Sequence, residues 1–203
     1  AAFGTWAFGG TPLFSLEVGA PELMPLLPAL FISGFVFGIV ALIYMKMIFG
    51  FSSIPAKYKL GYLPFALFAA AVTGISGVFF PEILGLGVDV IYSFITDDLS
   101  LTLVLTLLGL KIFLTSLCIG FGIFGGVFSP AIFVGAASGQ FMSHLLSFLS
   151  VFAPSTVLAI SGMAAVAACV VGAPLAVVMI ILELTMSYEY ALAALVSTMV
   201  AVM

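Results

Sequence analysis

Charge is what this chain has least of. Among 203 residues there are four lysines, no arginine, eight acids and one histidine, His144. Charged residues make up 6% of the sequence against 65% hydrophobic, a balance that excludes a water-soluble globule with a solvated surface. Without a basic cluster no nucleic-acid partner is expected. The net charge of −4 is spread too thinly over apolar sequence to specify a partner. Cysteine is scarce as well. Cys118 and Cys169 both lie inside apolar runs, where they read as small hydrophobes, and their spacing implies neither a metal site nor a disulfide. No cofactor is implied. Catalytic patterns are missing too: there are no paired carboxylates, no H-E-x-x-H and no G-x-S-x-G, so an intramembrane enzyme built on Glu183 and His144 is disfavoured. The start lacks the charged region and short apolar stretch of a cleavable signal. The chain opens on AAFGTWAFGG and stops at STMVAVM inside an apolar run. It therefore reads as an excerpt, with 1–203 forming part of a single membrane domain.

What the sequence does have is apolar runs of unequal length, which makes it an all-α, multi-pass integral membrane protein whose solvent is the lipid bilayer. Residues 24 to 51 would reach about 42 Å as a helix, longer than a ~30 Å hydrocarbon core, so this span should tilt or begin outside the core. Residues 60 to 80 and 99 to 120 make two further spans. Between them, 81 to 98 carry Pro81, Glu82, Gly85, Gly87 and three aspartates, which marks the segment as partly an aqueous loop, while its middle, VDVIYSFI, is also compatible with a short re-entrant helix. Beyond residue 125 the runs shorten to 127–149, 155–171, 174–186 and 188 to the end. The run from Pro174 to Met186 would be about 20 Å long, too short to cross. Breaks at membrane depth survive only where protein or a polar cavity satisfies the freed backbone groups, a signature of transporters and channels. Small residues four apart, Gly34 with Gly38 and Gly135 with Gly139, and the stretch SGMAAVAAC from residue 161, predict faces for close helix packing.

One stretch resists a continuous helix: FGIFGGVFSPAIFVGAASG, residues 121 to 139. Gly125 and Gly126 disfavour a helix interior, whereas Pro130 suits a first turn, where its missing N–H is no loss. The spacing predicts a loop followed by a helix start near Val127 to Pro130. Such a start exposes unpaired N–H donors and about half a positive charge, which suits a dehydrated anion. A nucleotide loop would need G-K-[ST] next, and Val127, Phe128 and Ser129 stand there instead. A cation filter would need acids, and none lies between Lys111 and Glu183. Two possibilities stay open on these grounds: an anion site, or glycines placed only for helix packing.

The string GGVFSPAIFVGA resembles the G-G-x-F-x-P-x-L-x-x-G-A signature of the CLC family of chloride channels and chloride/proton exchangers, with Ile132 in the leucine position. FFPEILGLGVDVI and GAPLAVVMIILELT are similar to flanking family segments. The resemblance implies a CLC-type bundle of tilted and broken helices, of which this chain is the second inverted half. It also implies chloride as the transported anion and a homodimer, with the remaining half of the same protein as a further partner. The amides of Val127 and Phe128 would contact chloride, within a site framed by Gly125, Gly126, Ser129 and Pro130. Lys111, inside the 99–120 run, would stand near the external anion entrance and attract chloride. Helices near 24–51, 174–186 and 188–203 would form much of the dimer surface, with Leu175 and Ala191 in it.

The sequence departs from the pattern where Phe121 and Phe124 flank Gly122, since the family commonly has a serine-glycine pair there. The family's gating-glutamate strings and its pore tyrosine are not in this chain. Tyr188 and Tyr190 fall at a helix junction instead. Glu183, near the end of its run beside Thr185 and Ser187, reads as an interfacial, hydrogen-bonded carboxylate. His144 reads as interfacial packing.

Overall fold

A computed structural model describes residues 23–58, 61–96, 99–151 and 153–203. The opening AAFGTWAFGG, Lys59, Asp97 and Asp98 lie outside the described residues. The described residues form helices joined by short breaks, with no strand among them. In chain order the helices are α1 (Leu23–Tyr58), α2 (Tyr62–Phe79), a 3₁₀ turn (Pro81–Ile83), α3 (Val88–Thr96), α4 (Leu101–Gly120), α5 (Phe128–Phe148), α6 (Ser155–Val171), α7 (Pro174–Thr185) and α8 (Tyr188–Val202). Four of them, α1, α2, α4 and α5, are long and apolar enough to cross a membrane. The chain is a multi-pass membrane protein.

Most boundaries follow the punctuation in the sequence. Pro174 opens α7 at its first turn, and Gly172, at φ 75°, closes α6 in the left-handed conformation, which glycine adopts without a Cβ penalty. The 81–98 segment contains the expected short helix, α3, which buries Ile91, Phe94 and Ile95. The main difference is α1. It runs on past residue 51 to Tyr58, with Pro28 and Pro55 inside it, for about 54 Å of helix. Near Pro55 the hydroxyls of Ser52 and Ser53 donate to Ile48 O and Gly50 O at 2.8 and 2.7 Å. These bonds bind the side chains back along the last turns of the helix instead of outward.

The core forms around α6, where every residue from Thr156 through Ala168 is buried. It packs most extensively on α5 and next on α8. The small-residue faces carry this packing. A Cβ on Gly135 would collide with Gly162 O, and one on Gly139 with Leu158 O, so the two backbones are in direct contact. On the other side, a Cβ on Gly34 would stand 2.9 Å from Ser197 O, and one on Gly38 2.9 Å from Ala201 O, which seats α1 against α8. Lipid tails are as apolar as leucine, so helices in a bilayer associate through such close packing and not through hydrophobic exclusion. The outer surface agrees with that solvent: Phe35, Leu63, Leu67, Ile75 and Val78 are each more than 60% exposed. Helix α2 is peripheral, burying only Ala69 and Gly77, and packs on α4.

Candidate anion-binding site

The turn between α4 and α5 is built by two consecutive terminal devices. At the end of α4, Gly122 takes φ 87°, its N–H donates to Ile119 O at 3.1 Å, and the N–H of Ile123 donates to Cys118 O at 2.9 Å. This paired arrangement terminates a helix by satisfying two of its last carbonyls, and it calls for glycine at the left-handed position. The Tyr62 ring lies over Gly122, where a Cβ would come within 2.9 Å of it. The chain then runs through an irregular segment in which Phe124 is fully exposed and Gly125 and Gly126 are exposed.

Helix α5 begins at Phe128, with Val127 as its flanking residue and no side chain capping it. Its first carbonyl to be used is Val127 O, which accepts from Ala131 N at 3.1 Å. The main-chain N–H groups before Ala131 have no place in the helical ladder, and Pro130 has none to satisfy. The expected start near Val127 to Pro130 is therefore where the helix begins. A Cβ at Gly125 or Gly126 would meet nothing within 4 Å. Among the described residues, close helix packing does not account for glycine at these two positions, in contrast to Gly135 and Gly139.

Among the described residues, two cavities border the first turn of α5. One, of ≈ 210 Å³, is lined by Lys111, Gly85, Thr115, Gly125, Gly126 and Pro130 among others, so it gathers four of the residues singled out in the sequence. The other, of ≈ 250 Å³, is apolar and borders Phe128 and Ser129 together with Leu86, Ile132, Met163 and Ile180. Val127 lines neither, and it is half-buried between them in sequence.

Lys111 is only 4% exposed. Its Nζ donates to Ile83 O at 2.7 Å and to Gly85 O at 3.1 Å, and it stands 4.6 Å from the centroid of the Phe133 ring. Placing a lysine at the centre of a membrane helix costs ~2.5–3.5 kcal/mol on insertion scales. Hydrogen bonds to a charged group recover ~1.5–3 kcal/mol each, and a desolvated cation–π contact up to ~2 kcal/mol. The carbonyls and the ring together are thus sufficient to hold the ammonium in place. Its partners are main-chain carbonyls at the end of the 3₁₀ turn, 26 and 28 residues away in sequence, and no local pattern in the sequence points to them. Phe133 was likewise not legible as a partner, although Gly85 and Gly87 mark the turn that reaches it.

The remaining singled-out residues lie elsewhere. His144 Nε2 bonds Leu99 O at 2.8 Å, tying the far end of α5 to the segment before α4. Glu183 is exposed near the end of α7. Ser187 Oγ donates to Glu189 at 2.7 Å across the α7–α8 junction, where Tyr188 is exposed and Tyr190 buried. Of the two residues expected at a dimer surface, Leu175 is 65% exposed and Ala191 7%, so Ala191 faces into the bundle and offers little to a second copy. Cys118 meets Thr73 Oγ1 at 3.2 Å, and the Cys169 thiol donates to Ala201 O at 3.4 Å. Both are half-buried free thiols.

Comparison with known proteins agrees with this architecture. The H(+)/Cl(-) exchange transporter ClcA of Vibrio campbellii is 27% identical over 191 residues, 90% of this chain and 40% of that protein. Chloride channel protein CLC-e of Arabidopsis thaliana is 31% identical over 145 residues, 63% of this chain and 20% of that protein. The chain thus spans less than half the length of these relatives. A crystal structure of a slow cyanobacterial Cl-/H+ antiporter matches the fold with a TM-score of 0.82 over 94% of this chain and 45% of that one, at 24% identity. The family model for voltage gated chloride channels matches residues 1–203. The chain belongs to the voltage-gated chloride channel family.

Proposed function

We propose that this chain is the second half of a membrane domain that carries chloride across the bilayer, and that the start of α5 supplies part of its anion site. The amides of Val127 and Phe128 are the donors, Pro130 fixes the helix start, and Gly125 and Gly126 leave the approach open. The observation that carries the reading is the uncapped N-terminus of α5, opening beside a cavity that also holds the buried cation Lys111. Amide dipoles suit a transport site because they bind an anion without the grip of a direct ion pair. A first half of the same protein completes the site, and two copies assemble through the outer faces of α1, α7 and α8.

This reading competes with that of an unrelated secondary transporter carrying another anion on broken helices, and the family match speaks for chloride. The names of the bacterial relatives favour exchange with protons over passive conduction. The apolar cavity beside Phe128 and Ser129 favours a second possibility, a bulkier anion than chloride, which competition by organic and inorganic anions in the same flux assay would expose.

The test is Phe128→Pro in the complete protein, reconstituted in liposomes. Proline deletes one N–H in the first helical turn, and it also disfavours the helical backbone angles that Val127 holds just before it. Losing one hydrogen bond to a charged partner should lower chloride flux about ten- to hundredfold, while Phe128→Leu, which keeps the amide, should not. A folded proline variant with ordinary flux would sink the amide role.

A further inference from the structure

We propose that Lys111 is a positioning residue for the start of α5: its ammonium clamps the turn after the 3₁₀ helix onto the Phe133 ring and so holds the anion-binding turn in register. This rests on the anion reading of α5 and adds a part to it.

Two of the three N–H groups of Lys111 are taken by Ile83 O and Gly85 O. The ammonium also lies against the face of Phe133. That ring belongs to α5, five residues beyond Phe128, and its side chain is fully buried. It is confined from two further directions. Phe94 on α3 meets it edge-on, with centroids 5.3 Å apart at 81°. Gly87, at φ 68°, presses its backbone so close that a Cβ there would come within 2.8 Å of Phe133 Cδ2. Lys111 is thus the joint at which α4, the Ile83–Gly87 turn and α5 meet. The same lysine lines the cavity shared with Gly125, Gly126 and Pro130, so a shift of the joint is transmitted to the helix start directly.

A clamp and an entrance attractor behave differently in salt. Attraction from solution is screened as the Debye length falls from about 10 Å at 0.1 M to about 3 Å at 1 M. A displaced helix start stays displaced at any ionic strength.

The experiment uses the complete protein in liposomes, with Lys111→Met, Phe133→Leu, the double variant and Lys111→Arg. Chloride flux and the chloride-to-nitrate flux ratio are read at about 0.1 M and about 1 M salt. Lys111→Met should lower chloride flux about tenfold or more at both salt levels and alter the anion ratio. Phe133→Leu leaves the charge in place and should alter the ratio in the same direction. Because the two residues act as one joint, the double variant should be no worse than the more damaging single one. Lys111→Arg, which can still donate to both carbonyls, should restore part of the flux. A Lys111→Met defect that vanishes at high salt would make the residue an attractor and overturn the clamp. So would a Phe133→Leu variant with wild-type flux and anion ratio, and this arm stands even if Lys111→Met does not fold. If Phe128→Pro is silent, the anion reading itself fails. If Phe128→Pro abolishes flux while Phe133→Leu is silent, only the clamp fails.

Discussion

Gly135 on α5 and Gly162 on α6 are in reciprocal backbone contact: a Cβ on either would collide with the carbonyl oxygen of the other. Neither neighbour is the flexible end of a side chain, so the only relief is to move a helix. Gly135→Ala should therefore destabilise the protein by ~1–3 kcal/mol or more, the usual range for overpacking, and lower its melting temperature in detergent. Gly126→Ala, where a Cβ meets open space, should melt close to wild type. Equal melting of the two variants would contradict the contact.

The α7–α8 junction holds a second stability prediction. Met186 closes α7 at φ 51°, a conformation that costs an L-residue roughly 1–2 kcal/mol. Glycine would remove that penalty while adding ~0.5–1 kcal/mol of chain entropy to the unfolded state. Met186→Gly should thus be neutral to modestly stabilising in thermal melts, and Met186→Ile clearly destabilising. A more stable isoleucine variant would count against the left-handed junction.

His144 separates stability from transport. Its bond to Leu99 O lies 16 residues along α5 from Phe128, or about 24 Å of helix. His144→Leu should lower stability by ~1 kcal/mol for the lost hydrogen bond, with chloride flux per folded molecule unchanged. A selective loss of flux at unchanged stability would place His144 in the transport path instead.

The proposed homodimer depends on the outer face of α7 and α8, where Leu175, Met179 and Leu192 are more than half exposed. Leu175→Arg places a charge in that apolar face and should shift the complete protein toward monomer, as read by cross-linking in liposomes. Ala191→Leu instead overfills the bundle interior, so its effect should appear in melting and not only in assembly. An unaltered dimer in the arginine variant would move the interface elsewhere.

Much of the fold was legible because hydropathy and helix punctuation are local properties. The run 155–171 coincides with α6, Pro174 with the start of α7, and Val127 to Pro130 with the start of α5. The extension of α1 to Tyr58 was not legible, because the apolar run ends at residue 51 and hydropathy alone does not show a helix continuing through Ser52, Ser53 and Pro55. The small-residue faces were recognisable in sequence, but which helix each one met was not.

By itself, the sequence determined the solvent, the helical class, the broken helices and the family signature, since each follows from composition or from spacing within a few residues. Only the tertiary structure decided that Gly125 and Gly126 face open space while Gly135 and Gly139 face a backbone, although all four are glycines in one stretch. It alone placed Lys111 on the carbonyls of Ile83 and Gly85 and on the Phe133 ring. Those partners come from two segments remote in sequence from Lys111, and a buried ammonium takes whatever acceptors and aromatic faces the packed helices bring to it.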